Sequence, residues 1–260
     1  MHFGYKLRKL CTWLGMDEGV VHRLVFDAMR ELDTDIIHHE RHVVDVNFQQ
    51  RPLPDGANIV DWVDAGLLDD PNLNAVISYI YDRGFQFDSY DWYWSNQLGL
   101  KRRLIIPYTW RGKVVGYASR NIDPTGKKYI QSVDSDYVFG MDQQTSKAKF
   151  SILVEGTFDA IAVGGIASLT NAVSEQKAEL IDTLGKDIIV VPDRDKSGGD
   201  LIESALKYKW DVSFPNWEDD VKDCADAHKR YGKLYTIRSI LAGRESNPTA
   251  IQILRTQNGY

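Results

Sequence analysis

The most constraining feature of the sequence is an alternation of strand-like and helix-like segments that begins near residue 150. Short runs rich in β-branched and other apolar residues predict strands at 150–154, 167–170, 187–191 and 210–214. Helical patterns fill the gaps between them, at 157–163, 174–184 and 200–209. Strands that alternate with helices form parallel sheets with helices on their faces, so this part is predicted to be an α/β domain.

Acidic residues follow three of these predicted strands. Glu155 comes directly after the first, Asp193 and Asp195 follow the third, and Asp223 and Asp226 lie beyond the fourth. The carboxyl ends of parallel strands meet at one edge of a sheet, where function concentrates. Clustered like charges favour a bound hard cation with oxygen ligands, Mg²⁺ above all. The alternative is that these carboxylates cap the helices that follow them.

The segment before this domain is strand-rich and basic. Residues 101–150 contain ten Lys and Arg residues but only four Asp and Glu residues, although the whole chain has a net charge of −6. Strands are predicted at 104–108 and 114–118 with a hairpin turn at Arg111-Gly112, and short β segments at 129–131 and 137–140. A local excess of positive charge favours a polyanion site, although chance clustering of surface charge explains it equally well.

The first hundred residues are predicted to be mainly helical. Helices are expected at 1–34, 58–67 and 73–84, with an irregular stretch at 35–57 that contains two prolines. The only cysteines, Cys11 and Cys224, are too far apart in sequence for a zinc ribbon or a disulfide framework, so a cytoplasmic location is expected. No apolar run is long enough for a membrane span or a secretory signal, and we expect no membrane partner.

The acidic motifs resemble those of TOPRIM domains, which occur in primases, topoisomerases and some nucleases. The resemblance rests on Val154-Glu155-Gly156 with Asp159, followed by Asp193-Arg194-Asp195-Lys196-Ser197-Gly198. It implies a TOPRIM fold, a parallel sheet flanked by helices, in which these carboxylates form the catalytic site. A topoisomerase is disfavoured because no catalytic-tyrosine domain follows.

Within that group the chain resembles the core of bacterial-type DNA primases, in particular their phage branch. The matching segments are Ala75–Gly84, Leu104–Tyr108, Arg111–Tyr117, Arg120, Lys128-Tyr129 and Asp223–Gly232, with Lys127 where the family usually has proline. The resemblance covers residues 75–235. It implies a mainly helical segment at 1–74, a small α+β RNA-polymerase-like subdomain at 75–147, the TOPRIM domain at 148–235 and a helical tail at 236–260.

The resemblance also implies an activity and its residues. A DNA primase is a nucleotidyltransferase that makes RNA primers on single-stranded DNA from ribonucleoside triphosphates and works beside a replicative helicase. Glu155, Asp193 and Asp195 would be catalytic, and Mg²⁺ or Mn²⁺ would be held by these three together with Asp159 and Asp223. Nucleotide and template contacts are expected from Arg103, Arg120, Lys127, Lys128 and Lys196.

Two features separate this chain from complete bacterial primases. Nothing in it has four metal ligands at zinc-ribbon spacing, so the zinc-binding domain is expected to be missing from this sequence. The cluster of His38, His39, His42 and Glu40 is interpreted as an exposed polar loop. Two alternatives therefore stay open: a TOPRIM nuclease with the same carboxylates, and a primase-derived protein that binds DNA or a helicase without initiating.

Overall fold

The computed structural model describes Asp17, Val20, Val21, residues 46–195 and residues 197–260. The chain divides into two compact units, Met1–Val43 and Val44–Tyr260. Almost all of the helix predicted at 1–34, together with the histidine cluster at 38–42, lies outside the described residues. The description below concerns the second unit.

The first sheet is antiparallel, with its strands in chain order. The strands are β1 (Ala57–Asn58), β2 (Tyr93–Trp94), β3 (Arg103–Trp110), β4 (Lys113–Asn121) and β5 (Tyr129–Ser132). Two helices, α1 (Ile59–Asp64) and α2 (Pro71–Asp82), lie between β1 and β2. The predicted turn at Arg111-Gly112 is present, and both residues have positive φ, 51° and 74°. This is the geometry of a two-residue hairpin whose twist matches its strands.

The second sheet has the order β10-β9-β8-β6-β7 and is the predicted parallel sheet. Strands β6 (Phe150–Val154), β7 (Ile166–Ala167), β8 (Asp187–Val190) and β9 (Asp211–Ser213) are mutually parallel, and β10 (Arg244–Glu245) is antiparallel to β9. Its helices are α3 (Thr157–Val163), α4 (Glu175–Asp182), α5 (Gly198–Tyr208), α6 (Cys224–Tyr231), α7 (Lys233–Ala242) and α8 (Pro248–Gln257).

Three local predictions differ from the structure. Residues 137–140 form a single bridge, Phe139 to Ala167, rather than a strand, because this apolar segment is buried between the two sheets. Helix α2 is capped by Asp70, whose carboxylate accepts the main-chain N–H of Asn72, whereas the sequence pattern predicts Asn72 as the cap. The region predicted as a helical tail also contains the strand β10.

The two sheets share one hydrophobic core. The aromatic segment at 90–94 belongs to this core, since Trp92 and Trp94 are fully buried. Its role is therefore packing. Across the sheets, the hydroxyls of Tyr108 on β3 and Thr157 on α3 are 3.1 Å apart and share a hydrogen bond. This bond fixes the first sheet directly against the start of α3, beside Glu155. Within the described ranges, no helix has both the length and the apolar composition that a membrane crossing requires.

Candidate active site

The central strands of the second sheet bring the predicted acidic residues to one edge. Strands β6 and β8 are adjacent and parallel, with Leu153 level with Val190. Glu155 follows β6 at once, and Asp193 follows β8 after two more residues. Both therefore lie at the carboxyl edge, as predicted for a parallel sheet.

Glu155 is a carboxylate in an unfavourable environment. Its side chain is partly buried, and its Oε1 has no hydrogen-bond partner. Burial and, after it, the charge of Asp195 raise the pKa of Glu155 to about 7, although a main-chain hydrogen bond from Asp193 opposes the rise. A buried carboxylate oxygen without a partner is costly, so this atom is suited to a ligand that supplies positive charge.

Asp193 shares this environment. Burial raises its pKa to about 8, and the charges of Glu155, Asp223 and Asp195 act in the same direction. The charge of Lys128 opposes them. Lys128 lies in the connection between β4 and β5 of the first sheet, so a basic residue of that sheet acts on the acidic edge of the second.

Asp195 differs from its neighbours because it is exposed and already hydrogen-bonded. One oxygen, Oδ1, accepts the main-chain N–H groups of Ser197 and Gly198 at 2.8 and 3.2 Å as well as the Ser197 hydroxyl, which lowers the pKa of Asp195. Asp195 therefore fixes the turn that leads into α5, close to the capping role considered as the alternative, although the N-cap residue itself is Ser197. Its second oxygen takes no part in these bonds.

Asp159 and Asp223 connect the acidic edge to α6. Asp159 is 6% exposed, and its Oδ1 accepts the N–H of Ala225 at 2.9 Å. Burial and the charges of Asp223 and Asp193 raise its pKa well above the ordinary value, while Arg83 lowers it. Asp223 is the N-cap of α6, where it accepts the N–H of Asp226. The geometry thus brings Glu155, Asp159, Asp193, Asp195 and Asp223 into electrostatic contact.

This arrangement fits a divalent cation that keeps part of its water shell. Among the described residues, no group of three or more His, Cys, Asp or Glu side chains is arranged so that it could hold a metal ion by itself. Mg²⁺ is commonly bound through one or two carboxylates, with waters and substrate phosphates completing its shell, so it does not need three protein ligands. The unpartnered oxygen of Glu155 and the mutual repulsion of the acidic groups are the features that a cation would relieve.

The predicted basic residues occupy different environments. Arg120 on β4 donates from Nε to the Tyr79 hydroxyl and lies over the ring of Tyr129 at 4.9 Å, whereas its buried Nη1 has no partner. Lys127 and Lys128 are exposed.

Arg103 is buried, and its two terminal nitrogens donate to the carbonyls of Ser119 and Lys127, each at 2.9 Å. Its guanidinium thus connects β3 to β4 and to the β4–β5 connection. Because both terminal nitrogens bind main-chain carbonyls, they are not free to contact a phosphate. Lys196 lies outside the described residues.

Arg83 also acts on the site, although the sequence predicts only that it lies at the end of the helix expected at 73–84. Its guanidinium lies over the ring of Phe158 at 5.0 Å, its Nε is buried without a partner, and its charge lowers the pKa values of Asp159 and Tyr129. The charge of Arg120 also lowers the pKa of Tyr129. The charges of Arg83 and Arg120 thus both act on Tyr129, and each guanidinium has one buried N–H group without a partner.

The C-terminal residue Tyr260 also approaches this edge. A side chain at Gly198 would meet the Tyr260 ring at 2.9 Å, so the tyrosine packs on the start of α5. Burial raises the pKa of Tyr260 to about 12; the charge of Arg194 opposes this rise, and the charge of Asp193 adds to it. No acidic or basic pattern in the sequence signals this contact, because only the path of α8 creates it.

Known proteins similar to this chain are DNA primases. A DNA primase of Aquifex aeolicus is 28% identical over 59% of this chain and 35% of its own length. Among solved structures, a DnaG primase catalytic domain bound to single-stranded DNA superposes with a TM-score of 0.57, at 17% identity over 76% of this chain and 82% of that one. The RNA polymerase domain of the Mycobacterium tuberculosis primase DnaG gives a TM-score of 0.56, at 18% identity over 72% and 83%.

These similarities establish the fold. Residues in the second unit adopt the mixed α/β fold of the DnaG catalytic core, as predicted from the TOPRIM resemblance. No protein-family model matches the sequence. The chain spans about a third of the length of the Aquifex aeolicus primase that it matches.

Proposed function

We propose that this chain is a DNA primase catalytic core, which makes RNA primers on single-stranded DNA by metal-dependent nucleotidyl transfer. One observation carries the proposal: the first sheet is joined to the start of α3 by the Tyr108–Thr157 hydrogen bond, and its Lys128 lies close enough to the acidic edge for its charge to lower the pKa of Asp193. Nucleotidyl transfer needs carboxylates for metal ions and cations for phosphates side by side. The similarity to DnaG primase catalytic domains, one of them solved with single-stranded DNA, supports the same activity.

The residues divide the chemistry between them. Glu155, Asp193 and the second oxygen of Asp195 would hold one Mg²⁺ or Mn²⁺, with Asp223 and Asp159 serving a second. When bound, the metal lowers the cost of charge on the attacking 3′-hydroxyl and on the leaving pyrophosphate. Lys128, Arg120 and Arg83 would bind the triphosphate of the ribonucleotide or the phosphates of the template. Lys127 and Lys196 are proposed as further phosphate contacts, and the helicase partner and the cytoplasmic location stay predictions.

A primer-extension assay tests the function directly. The protein is given single-stranded DNA template, annealed RNA primer, labelled ribonucleotides and Mg²⁺ or Mn²⁺, so that elongation does not depend on a zinc-binding domain for initiation. Template-dependent extension supports the proposal. Degradation of the nucleic acid without extension would identify a nuclease, and DNA binding without either reaction would identify a non-initiating binding protein; both results would overturn it.

Removal of the basic side chains of Arg120 and Lys128 should weaken the binding of DNA. We expect Arg120→Ala combined with Lys128→Ala to raise the Kd for single-stranded DNA by about tenfold at low salt, because about two phosphate contacts disappear. The slope of log Kd against log salt should fall by about one for each phosphate that is no longer bound. Fluorescence anisotropy over a salt series measures both quantities.

Lys207→Ala is the matched control for this surface. Lys207 is exposed in the last turn of α5, about 14 Å along the helix from its start at the acidic edge. Its removal should leave the affinity for DNA unchanged. Equal affinities of the wild type and the double variant would remove Arg120 and Lys128 from the DNA-binding surface.

The stability of the metal-free protein should depend on pH with a definite sign. The pKa values of Glu155 and Asp193, about 7 and about 8, exceed their ordinary values of 4.5 and 3.8. The folded state therefore holds protons that the unfolded chain releases, and this contribution is present at low pH and lost as the pH rises through 7 and 8. In EDTA, the unfolding midpoint should fall by several degrees between pH 6 and pH 8.5.

The same two carboxyls provide the control. Glu155→Gln combined with Asp193→Asn should flatten the dependence on pH, since neither group then titrates. Mn²⁺ should raise the midpoint of the wild type more at pH 8.5 than at pH 6, because the metal competes with protons. Parallel pH curves for wild type and variant, measured by calorimetry, would contradict the assigned environments of Glu155 and Asp193.

A further inference from the structure

Arg194 lies between two acidic residues of the site, but its side chain makes its contacts elsewhere. Its Nη1 donates to the carbonyls of Trp217, Glu218 and Val221 at 3.1, 3.1 and 3.3 Å, and its Nη2 donates to that of Pro215 at 2.6 Å. One guanidinium thus satisfies four carbonyls of a single stretch of chain. Both terminal nitrogens are occupied, so Arg194 is not a free phosphate contact.

The stretch that Arg194 binds is the irregular connection between β9 and α6, residues 214–223. It contains no helix or strand of its own, so its course depends on contacts with neighbouring segments and on a few main-chain turns. Trp217 is buried, donates from its indole nitrogen to the Ser239 hydroxyl at 2.7 Å, and lies 5.6 Å from the Arg194 guanidinium. Arg194 on one side and α7 on the other hold the connection in place.

The connection ends at Asp223, one of the acidic residues of the site and the N-cap of α6. The main-chain N–H of Arg194 donates to the carbonyl of Lys222 at 2.8 Å, which places the loop of Asp193 and Asp195 directly beside Asp223. Asp193 and Asp223 are close enough for the charge of Asp223 to raise the pKa of Asp193. Arg194 therefore contacts the connection that leads to Asp223 through both its main chain and its side chain.

We propose that Arg194 is a positioning residue that fixes Asp223 relative to Asp193 and Asp195, so that both groups of carboxylates can hold divalent cations at once. This inference rests on the proposed function of the site. Residues that orient metal ligands typically change metal affinity or activity by about 10–100-fold when they are replaced. Lysine cannot replace this arginine, because an ammonium is a compact point charge and does not present the planar fork that reaches four carbonyls.

The test compares Arg194→Lys with a matched arginine at the other end of the sheet. Arg244 pairs with Asp187 and Asp211, which begin β8 and β9, so Arg244→Lys makes the same chemical change away from the acidic edge. Calorimetric titration with Mn²⁺ alone should show affinity weakened by about tenfold or more in Arg194→Lys and unchanged in Arg244→Lys. Primer extension by Arg194→Lys should need correspondingly more Mn²⁺, with the KM for ribonucleotide at saturating metal unchanged.

A double-variant cycle separates positioning from a general loss of stability. If Arg194 acts through Asp223, Arg194→Lys should add little to the loss of Mn²⁺ affinity caused by Asp223→Asn, whereas independent effects would add. Should Arg194→Lys not fold, Trp217→Phe removes the bond to Ser239, loosens the same connection, and should shift Mn²⁺ affinity in the same direction.

Wild-type Mn²⁺ affinity in folded Arg194→Lys, or additive losses in the cycle, would overturn the proposal. A wild-type protein that binds Mn²⁺ but extends no primer would instead contradict the proposed function alone, because the titration still tests the role of Arg194.

Discussion

Glu155→Gln should abolish primer extension while leaving the fold at least as stable as before. Glutamine keeps the size and the hydrogen-bonding capacity of the side chain but removes its charge. We expect extension to fall by a factor of at least about a hundred, the usual effect of losing a group that stabilises charge in the transition state. Thermal stability without metal should stay constant or rise, since the repulsion between Glu155 and Asp195 disappears.

The two measurements on one variant separate chemistry from folding. If Glu155 only supported the turn into α3, the variant would lose about 1 kcal/mol of stability and keep its activity. Glu179→Gln is the matched control, because Glu179 is an exposed residue of α4 and the chemical change is the same. Glu155→Gln that extends primers at the wild-type rate would show that the catalytic site lies elsewhere.

The second large effect is expected from Asp193→Asn combined with Asp195→Asn. Asparagine is neutral and binds Mg²⁺ or Mn²⁺ far more weakly than a carboxylate, so calorimetric titration should show binding lost, and extension should fall to background. The fold should persist, since the amide oxygen of an asparagine at position 195 can still accept the N–H groups that open α5. Circular dichroism and the unfolding midpoint in EDTA would verify this.

A pair of exposed aspartates supplies the control for this double variant. Asp88→Asn combined with Asp91→Asn makes the same change of charge in the loop before β2, and should alter neither metal binding nor extension. Unchanged metal affinity in the Asp193 and Asp195 variant would remove both residues from the metal site. A variant that binds metal normally but extends no primer would restrict them to a role in the reaction itself.

The acidic edge could be predicted from the sequence because residues that directly follow parallel strands lie at the same edge of the sheet. Once β6 and β8 are recognised by their β-branched residues, Glu155 and Asp193 must meet at the carboxyl end of the sheet. The hairpin at Arg111-Gly112 follows in the same way from local backbone preference.

Features that depend on contacts distant in sequence could not be predicted. Arg103 has the charge of a surface residue, yet it is buried because two main-chain carbonyls face it. Arg83 marks the end of a helix in the sequence, and only the packing of Phe158 against it reveals its place near the site. β10 contains one basic and one acidic residue, so no pattern distinguishes it from a loop; its pairing with β9 makes it a strand.

That short strand has a consequence for how the protein behaves at high concentration. A parallel sheet exposes unpaired N–H and C=O groups along its outermost strands, and such edges recruit strands from other molecules. Here β10 covers β9 with only two residues, Arg244 and Glu245, and at the opposite side Phe139 exchanges two main-chain hydrogen bonds with Ala167 of β7. Both borders of the second sheet are thus closed by segments too short or too charged to be extended, and we expect this to counter edge-to-edge aggregation.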